Sequence, residues 1–207
     1  MNTVLLKGTI RDIKESHNIN GIQYDQANII VKRGTDKEDI ISLKFKKFCN
    51  KYREGDFVEL TGNLRSYSQK IDDNHNRVSL YVFTYFDQIP YEYIMNNETN
   101  SVELSGRICK VEKLRDTSSG KCNLHFILAN NIISEDKNQK LNNYIPSCAW
   151  GKLAIDLSKK LQISDKVIVR GQLHSRTYKK QLENGETEYR TAHELLVTEL
   201  EWDNSNE

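Results

Sequence analysis

An internal tandem repeat divides this 207-residue chain into two similar halves. The segment NTVLLKGTI recurs as NSVELSGRI at an offset of 98 residues, SLKFKK recurs as SCAWGK at 105, and DFVELTGNLRS recurs as DKVIVRGQLHS at 109. The order of the segments is unchanged, and the offset grows only between them, where loops or helix ends are expected. The repeat therefore predicts two copies of one module, at residues 1–95 and 100–203, joined near PYEYIMNNETN.

Hydrophobic periodicity predicts the order of elements within a module. In the second copy it predicts strands at 102–111, 122–130, 144–150, 166–180 and 187–200, and a short helix at 151–161 whose leucines recur every four residues. The Asn184-Gly185 pair is the favoured type I′ turn for the hairpin between the last two strands. Three strands, a short helix and a hairpin are the order of the OB-fold, a five-stranded barrel. The predicted fold is therefore all-β, with two tandem OB-fold barrels and a short helix between strands 3 and 4 of each.

Composition excludes several classes of protein. The chain is 37% hydrophobic and 29% charged, and no apolar run approaches the ~18–20 residues that span a bilayer, so we expect neither a membrane protein nor a signal peptide. The net charge is +1, so nucleic-acid binding would need local charge plus stacking rather than a polycationic surface. The four cysteines show no C-x-x-C spacing and no histidine at metal-ligand distance, which predicts reduced, buried thiols in a cytoplasmic protein without a metal site.

Strand parity predicts which side chains of the fourth strand face outward in the second copy. The inward positions are apolar or glycine, beginning with Val167. The opposite face carries Arg170, Arg176, Tyr178 and Lys180. A large ring is thus predicted on a solvated face among cations.

The first copy repeats this pattern in a weaker form. Its fourth strand turns Arg65 and Tyr67 outward, and the run KFKKFCNKYR, which contains Lys44 and Lys46, adds five cations without an acid. A lone charge run is usually a solvated helix face. Phe45 shares the parity of the apolar residues before it, so a core position is at least as well supported as a ligand contact.

Exposed rings interleaved with lysine and arginine are typical of surfaces that bind single-stranded nucleic acid. Such rings stack on unpaired bases for about 1–3 kcal/mol each, while cations follow the phosphates. Tyr144 and Trp150 share one face of the predicted third strand, just before Lys152. Each ring also has a packing alternative: Tyr178 could cover a neighbouring side chain, Trp150 could be buried at the end of the barrel, and packing is the favoured role for Trp202.

Four segments, taken in order, resemble the bacterial single-stranded DNA-binding protein family: NSVELSGRI, LRDTSSGKCNLHFILANN, YIPSCAWGKLAIDLSKKL and VIVRGQLHSRTY. The resemblance covers nearly all of residues 100–203, and the first copy is a fainter version recognised through its repeat. It implies the OB barrel, single-stranded DNA as ligand, and a functional unit of four OB domains, hence a homodimer of this chain. It also implies base stacking by Tyr144, Trp150 and Tyr178, whereas a further family aromatic has no counterpart around residues 132–135.

The chain departs from the family pattern in two respects. In the first copy, Asp39 occupies the position matched to Tyr144, and Gln69 occupies the position matched to Tyr178. Phe45 is an aromatic residue at the position matched to Trp150. Tyr67 lies two residues from Gln69 on the same face of the strand. We therefore expect the first barrel to bind DNA more weakly or to serve assembly. Family members usually carry a tail with an acidic tip that recruits repair proteins, but the sequence stops at WDNSNE, so we expect no such recruitment and an accessory or mobile-element role.

The sequence thus predicts a sequence-tolerant single-stranded DNA-binding protein that protects strands in replication, recombination or DNA transfer. DNA is favoured over RNA only through the resemblance. No catalytic triad, phosphate loop or metal-binding acidic cluster stands out, so we expect no enzyme activity and no cofactor. The alternatives are a protein-assembly module, similar to a primosome accessory subunit and favoured by the near-neutral charge, and, with least support, a nuclease. The predicted nucleic-acid contacts are Lys44, Phe45, Lys46, Arg65, Tyr67, Tyr144, Trp150, Lys152, Arg170, Arg176, Tyr178, Lys179 and Lys180.

Overall fold

The computed structural model describes residues 1–34, 36–47, 52–70, 76–84, 99–117, 120–133, 140–181 and 185–203. These residues contain eleven strands and one helix. The elements, in chain order, are β1 (Asn2–Ile19), β2 (Ile22–Lys32), β3 (Glu38–Lys46), β4 (Phe57–Lys70), β5 (Asn76–Thr84), β6 (Asn100–Val111), β7 (Arg115–Asp116), β8 (Cys122–Ile133), β9 (Lys140–Trp150), α1 (Gly151–Lys160), β10 (Lys166–Gln181) and β11 (Thr187–Trp202).

The strands and the helix predicted for the second copy are confirmed to within a few residues. The largest difference is at β9, which begins at Lys140 rather than at residue 144. The apolar face of α1 buries Ala154 and Leu157. No helix in the described part of the chain is long and apolar enough to span a membrane. The predicted Asn184-Gly185 turn, the linker near residues 90–100 and the short helix of the first copy lie wholly or partly outside the described residues.

Each half of the chain closes into a five-stranded barrel. In the first half the hydrogen-bonded order is β1–β2–β3–β5–β4 and back to β1, and in the second half it is β6–β8–β9–β11–β10 and back to β6. The β3–β5 and β9–β11 pairs are parallel, and the other pairs in the two rings are antiparallel. Closure pairs both edges of each sheet, which removes the free edges that invite aggregation. The predicted all-β fold of two barrels is confirmed.

Glycines at matched positions let the fourth strand of each barrel approach the fifth closely. A Cβ atom at Gly171 would lie 2.0 Å from the Leu196 carbonyl oxygen, and one at Gly62 would lie 2.4 Å from the Phe83 carbonyl oxygen. Both separations are far below van der Waals contact with backbone, so no other residue fits without moving a strand. The two glycines are 109 residues apart, which is the repeat offset of this segment.

Antiparallel pairing of β1 with β6 joins the two barrels into one sheet. The register contains five residue pairs and places Val4 opposite Val102 at its centre. These two valines are also counterparts in the repeat, at the offset of 98 residues. A residue paired with its own counterpart means that an approximate twofold axis passes between the two halves at this point.

Each barrel has one asparagine at the start of its first strand that binds the fourth strand of the same barrel. The Asn2 side chain donates to the Leu64 carbonyl at 2.8 Å and accepts from the Leu64 N–H at 2.7 Å. Asn100 makes the same two bonds to Leu173, at 2.7 and 2.9 Å. Both asparagines are buried, so each satisfies two backbone groups that water cannot reach.

The seam between the barrels is formed on one side by β3 and β10. The Ser175 N–H donates to Asp39 Oδ1 at 2.6 Å, and the Ser175 hydroxyl accepts from the Ile40 N–H at 2.8 Å. The buried Asp39 carboxylate also accepts from Arg33 Nε at 2.6 Å and from a second guanidinium nitrogen. Burial alone would raise the pKa of Asp39, but the hydrogen bonds from Arg33 and Ser175 outweigh burial and lower its pKa.

On the other side of the seam, β4 and β9 repeat this arrangement. The Ser66 N–H donates to Asn143 Oδ1 at 3.0 Å, and the Ser66 hydroxyl accepts from the Tyr144 N–H at 2.9 Å. The contacts make Asn143 the counterpart of Asp39. The predicted match of Asp39 with Tyr144 is therefore wrong by one residue, and Ile40 occupies the Tyr144 position.

Asp39→Asn tests how much the charged seam contributes to stability. The substitution keeps an acceptor for Ser175, as Asn143 is for Ser66, but removes the ion pair with Arg33. Because the folded pKa of Asp39 is lowered, its contribution is complete above the ordinary value of 3.8 and is lost as pH falls through the folded pKa. Urea unfolding should show a wild-type advantage at neutral pH that shrinks below about pH 4.

The exposed Asp156→Asn variant on α1 is the matched control for the loss of one carboxylate. A wild-type advantage over Asp39→Asn that stays constant from neutral pH to about pH 2.5 would contradict this role of the seam carboxylate.

Candidate nucleic-acid interface

The fourth strand of the second half, β10, orients its side chains as strand parity predicts. Val167, Val169 and Leu173 are buried, whereas Tyr178 is 38% exposed on the opposite face. The guanidinium carbon of Arg176 lies 5.9 Å from the centroid of the Tyr178 ring. The ring therefore combines an apolar face with a nearby cation, as base stacking beside a phosphate requires.

Beyond the barrel, β10 and β11 continue as a two-stranded ribbon. Pairing of β10 with β6 ends at Gly171, while pairing with β11 continues to the end of β10. Lys179 has the opposite parity to Tyr178, and its Nζ lies 5.4 Å from the ring centroid of Tyr189. Tyr189 is 65% exposed and is not among the predicted contacts. The signal that points to it is its place directly opposite Lys179 in the hairpin register.

The third strand of the second half, β9, carries two exposed rings on its outer face. Tyr144 is 47% and Trp150 40% exposed, six residues or about 20 Å apart along the strand. Trp150 is the N-cap residue of α1, and the exposed Lys152 lies in the first turn of that helix. Burial of Trp150 at the end of the barrel is therefore the wrong alternative. Trp202 is exposed to nearly the same degree, at 39%, and donates from Nε1 to Asp165 Oδ2 at 2.9 Å, so its packing role stays a prediction.

Arg170 faces outward on β10, but its charge is already paired. Its Nε donates to Glu103 at 2.8 Å, and its Nη1 lies 2.9 Å from Glu201 and 3.5 Å from Glu199. Three carboxylates more than neutralise one guanidinium, and Arg170 lies six residues, about 20 Å, from Arg176. These contacts argue against the predicted role of Arg170 in binding phosphate.

Phe45 is 1% exposed in the core of the first barrel, so its predicted role in base stacking is wrong. The register of the third strand explains the error. Leu43 pairs with the fifth strand in the first barrel as Ser147 does in the second, so the offset on this strand is 104 residues and not 105. Because side chains alternate along a strand, a slip of one residue moves a side chain to the other face.

In the first barrel, Lys46 occupies the position of Trp150. The neighbouring Lys44 is half-buried, and its Nζ lies 4.6 Å from the ring centroid of Tyr81 and 6.0 Å from that of Tyr67. Burial lowers the pKa of Lys44 and raises the pKa of Tyr81. Tyr67 is 56% exposed, so this cluster offers one accessible ring above a partly desolvated cation.

Arg65, also predicted to contact DNA, is half-buried on β4. Its guanidinium carbon lies 3.9 Å from the ring centroid of Phe83, a close cation–π contact. Tyr81, which faces Arg65 across the strand pair, is absent from the predicted contacts. The sequence feature that could have identified Tyr81 is the alternation along β5, which turns Tyr81 to the face opposite its buried neighbours Leu80 and Val82.

The seam brings the two barrels into contact beside exposed aromatic and charged residues. The Tyr144 N–H bond to Ser66 places the Tyr144 backbone beside the residue that precedes the exposed Tyr67. On the other side of the seam, a groove between β3 and β10 is lined by three cations and two acids, which are Arg33, Lys37, Arg176, Glu38 and Glu194. The candidate surface therefore continues from one barrel to the other.

The described cysteines are free thiols, but only one of them is buried. Cys148 lies within β9, Cys122 is half-buried beside Asp116, and Cys109 is exposed. Cys49 lies outside the described residues. The prediction of buried thiols is therefore correct for Cys148 and wrong for Cys109.

The second half of the chain is similar in sequence to known proteins. The family model described as "Single-strand binding protein family" matches residues 99–202. Single-stranded DNA-binding protein 2 of Chlorobaculum tepidum is 36% identical over 88 residues, which span 41% of this chain and 60% of that protein.

Solved structures extend the similarity to both barrels. The crystal structure of wild-type single-stranded DNA binding protein from Thermus aquaticus has a TM-score of 0.70 at 18% identity, and covers 99% of this chain and 93% of that chain. A deletion mutant of the same protein has a TM-score of 0.68 at 18% identity, with 98% and 94% covered. At this level of identity the likeness shows a shared fold.

Phe45→Ala and Tyr67→Ala should separate the buried ring from the exposed one. Loss of a buried phenylalanine removes apolar contacts and leaves a cavity, which lowers the free energy of unfolding by about 3–5 kcal/mol. Loss of the exposed Tyr67 should change it by about 0.5 kcal/mol or less. Urea unfolding followed by circular dichroism measures both values, and equal losses would show that the two positions are wrongly assigned.

Proposed function

Because the chain belongs to the single-strand binding protein family, we propose that it binds single-stranded DNA without sequence preference. Bases would stack on exposed rings of the second barrel, and lysine and arginine side chains would contact the phosphates. The observation that carries this proposal is the exposure of Tyr144, Trp150 and Tyr178, between 38% and 47%, within the residues that match the family.

The local charge around these rings supports the proposal more than the net charge does. Arg176 lies over the Tyr178 ring, Lys152 follows Trp150, and Lys179 and Lys180 extend the β10–β11 ribbon. Duplex DNA hides its bases from rings on a sheet, whereas an unpaired strand presents them. A surface of this kind selects for single strands through stacking.

The first barrel would contribute less stacking and more charge. Lys46 stands where the second barrel has Trp150, and Ile40 stands where it has Tyr144. Tyr67 is the exposed ring on this side, and the seam places it near the Tyr144 backbone. We expect Tyr67 to stack on a base as the strand passes from the second barrel to the first.

Proteins of this family bind DNA and catalyse no reaction, which agrees with the prediction that the chain is not an enzyme. Protection of single strands in replication, recombination or DNA transfer is the proposed role.

Binding should be visible as quenching of tryptophan fluorescence when oligo-dT is added at low salt. The affinity should fall as salt rises, with a slope of roughly −0.7 log units per neutralised phosphate. Trp150→Ala and Tyr178→Ala should each cost about 1–3 kcal/mol of binding without unfolding the barrel. Anisotropy of a labelled oligonucleotide measures the Trp150→Ala variant, which has lost the quenched ring.

Phe57→Ala is the matched control, because Phe57 is 75% exposed and lies at the opposite end of β4 from Tyr67. It should bind as the wild type does. No quench and no anisotropy change at micromolar protein would refute DNA binding and favour the protein-assembly alternative. If Tyr178→Ala lowers stability and leaves binding intact, this ring packs on its neighbours rather than on a base.

We also propose that the chain forms a homodimer, which would assemble four barrels. The support is the resemblance of the two-barrel chain to a family whose functional unit is four OB domains. Light scattering at two protein concentrations should give twice the chain mass of 24.1 kDa at both. A mass of one chain at both concentrations would refute the dimer without bearing on DNA binding.

A further inference from the structure

Three side chains with metal-binding atoms meet on the outer face of the second barrel. They are His125 on β8, Cys148 on β9 and Glu194 on β11, and one potential ligand atom from each lies within 4.8 Å of the other two. The residues are 23 and 46 positions apart in the chain, so no sequence motif announces them. Only the pairing of the three strands brings them together.

Strand register places these side chains rigidly. His125 is directly opposite Cys148 in the β8–β9 pair. On the other side of β9, Leu195 is opposite Ser147. Because side chains alternate along each strand, Glu194 and Cys148 therefore lie on the same face. Three adjacent strands of a closed barrel therefore set the distances, and little ordering would be needed to bind an ion.

His125 contacts Cys148 and Glu194 through different nitrogens of its ring. His125 Nε2 lies 3.8 Å from Cys148 Sγ, and His125 Nδ1 lies 3.9 Å from a Glu194 carboxylate oxygen. Zinc–sulfur and zinc–nitrogen bonds of about 2.3 and 2.0 Å in a tetrahedral site separate donor atoms by about 3.3–3.6 Å. For one nitrogen of His125, the three ligand atoms lie within 4.8 Å of one another, so rotation of the half-exposed His125 and Glu194 side chains must shorten separations by up to about 1.5 Å to reach that geometry.

We propose that His125, Cys148 and Glu194 bind one zinc ion on the outer face of the second barrel. A thiolate, an imidazole and a carboxylate are the donor types that zinc takes in proteins, and three protein ligands leave a fourth position for water. Binding replaces the Cys148 thiol proton with the metal, and that proton passes to the buffer. The half-exposed His125 and Glu194 lie above the buried sulfur and provide the entry route.

A fourth residue would orient the carboxylate. His174 on β10 is directly opposite Glu194 in the β10–β11 register. Outer partners of this kind hold a ligand in its binding orientation. The site lies on β9 between Tyr144 and Trp150, but its occupancy by a metal does not depend on DNA binding.

Cobalt(II) provides the spectroscopic probe for this site. The untagged full chain, kept reduced by a non-thiol reductant, is titrated with Co²⁺ and then with Zn²⁺. We expect a thiolate-to-metal charge-transfer band that saturates at one equivalent of Co²⁺ and disappears on adding one equivalent of Zn²⁺. Cys148→Ser should abolish the band, whereas the exposed Cys109→Ser is the matched control and should retain it.

His125→Gln and Glu194→Gln test the other two ligands without changing the core. Each should weaken Zn²⁺ binding by more than about 10- to 100-fold, the loss found even for outer partners. Circular dichroism checks the folding of each variant, and His125→Gln decides the question if Cys148→Ser does not fold. The proposal is overturned by the absence of a charge-transfer band, by a band that survives in Cys148→Ser, or by unchanged Zn²⁺ affinity in both glutamine variants.

Discussion

The pairing of β1 with β6 is the interaction on which the rest of this structure depends. Its register places Val4 opposite Val102, and these residues are 98 positions apart, the offset of the repeat. Antiparallel pairing of two equivalent strands about equivalent residues is what an isologous interface between two identical subunits would do. Here the same geometry lies within one chain, and both valines are buried in the hydrophobic core.

The seam contacts follow from that axis. Once β1 and β6 are paired, strand three of each barrel meets strand four of the other, and serine occupies matched places as Ser66 and Ser175. The partner is neutral on one side, Asn143, and charged on the other, Asp39. Symmetry fixes where these bonds lie, while divergence of the two copies has made one side an ion-paired site through Arg33. The candidate surface is shared because the seam is shared.

Much of the fold was predictable because the alternation of apolar and polar residues along one strand shows which side chains are buried. Alternation along β10 predicts that Val167 is buried and Tyr178 exposed, and both are observed. The error at Phe45 has a physical cause: SLKFKK and SCAWGK align on serine and lysine, but the strands correspond at an offset one residue smaller. Burial of the preceding apolar residues was the better guide, since Phe45 shares their parity.

Other features could not be predicted because they depend on strand pairing between distant residues. Arg170 on β10 donates a hydrogen bond to Glu103 on β6, and these two residues are 67 positions apart in the chain. Likewise, parity could place Tyr189 on one face of its strand, but only the hairpin register places it opposite Lys179. A pattern along one strand predicts which side a residue faces, whereas its neighbours on that side belong to other strands.

The two barrels therefore carry different side chains at equivalent backbone positions. Where β9 ends in Trp150, β3 ends in Lys46, and the adjacent ring of Phe45 fills the core instead. A ring on the surface contributes stacking that is nearly independent of salt, while a lysine contributes counterion release that weakens as salt rises. A strand that crosses the seam would accordingly be held mainly by its bases on the second barrel and by its phosphates on the first. Raising the salt should release it from the first barrel before the second, so the number of nucleotides covered by one chain should decrease before binding is lost.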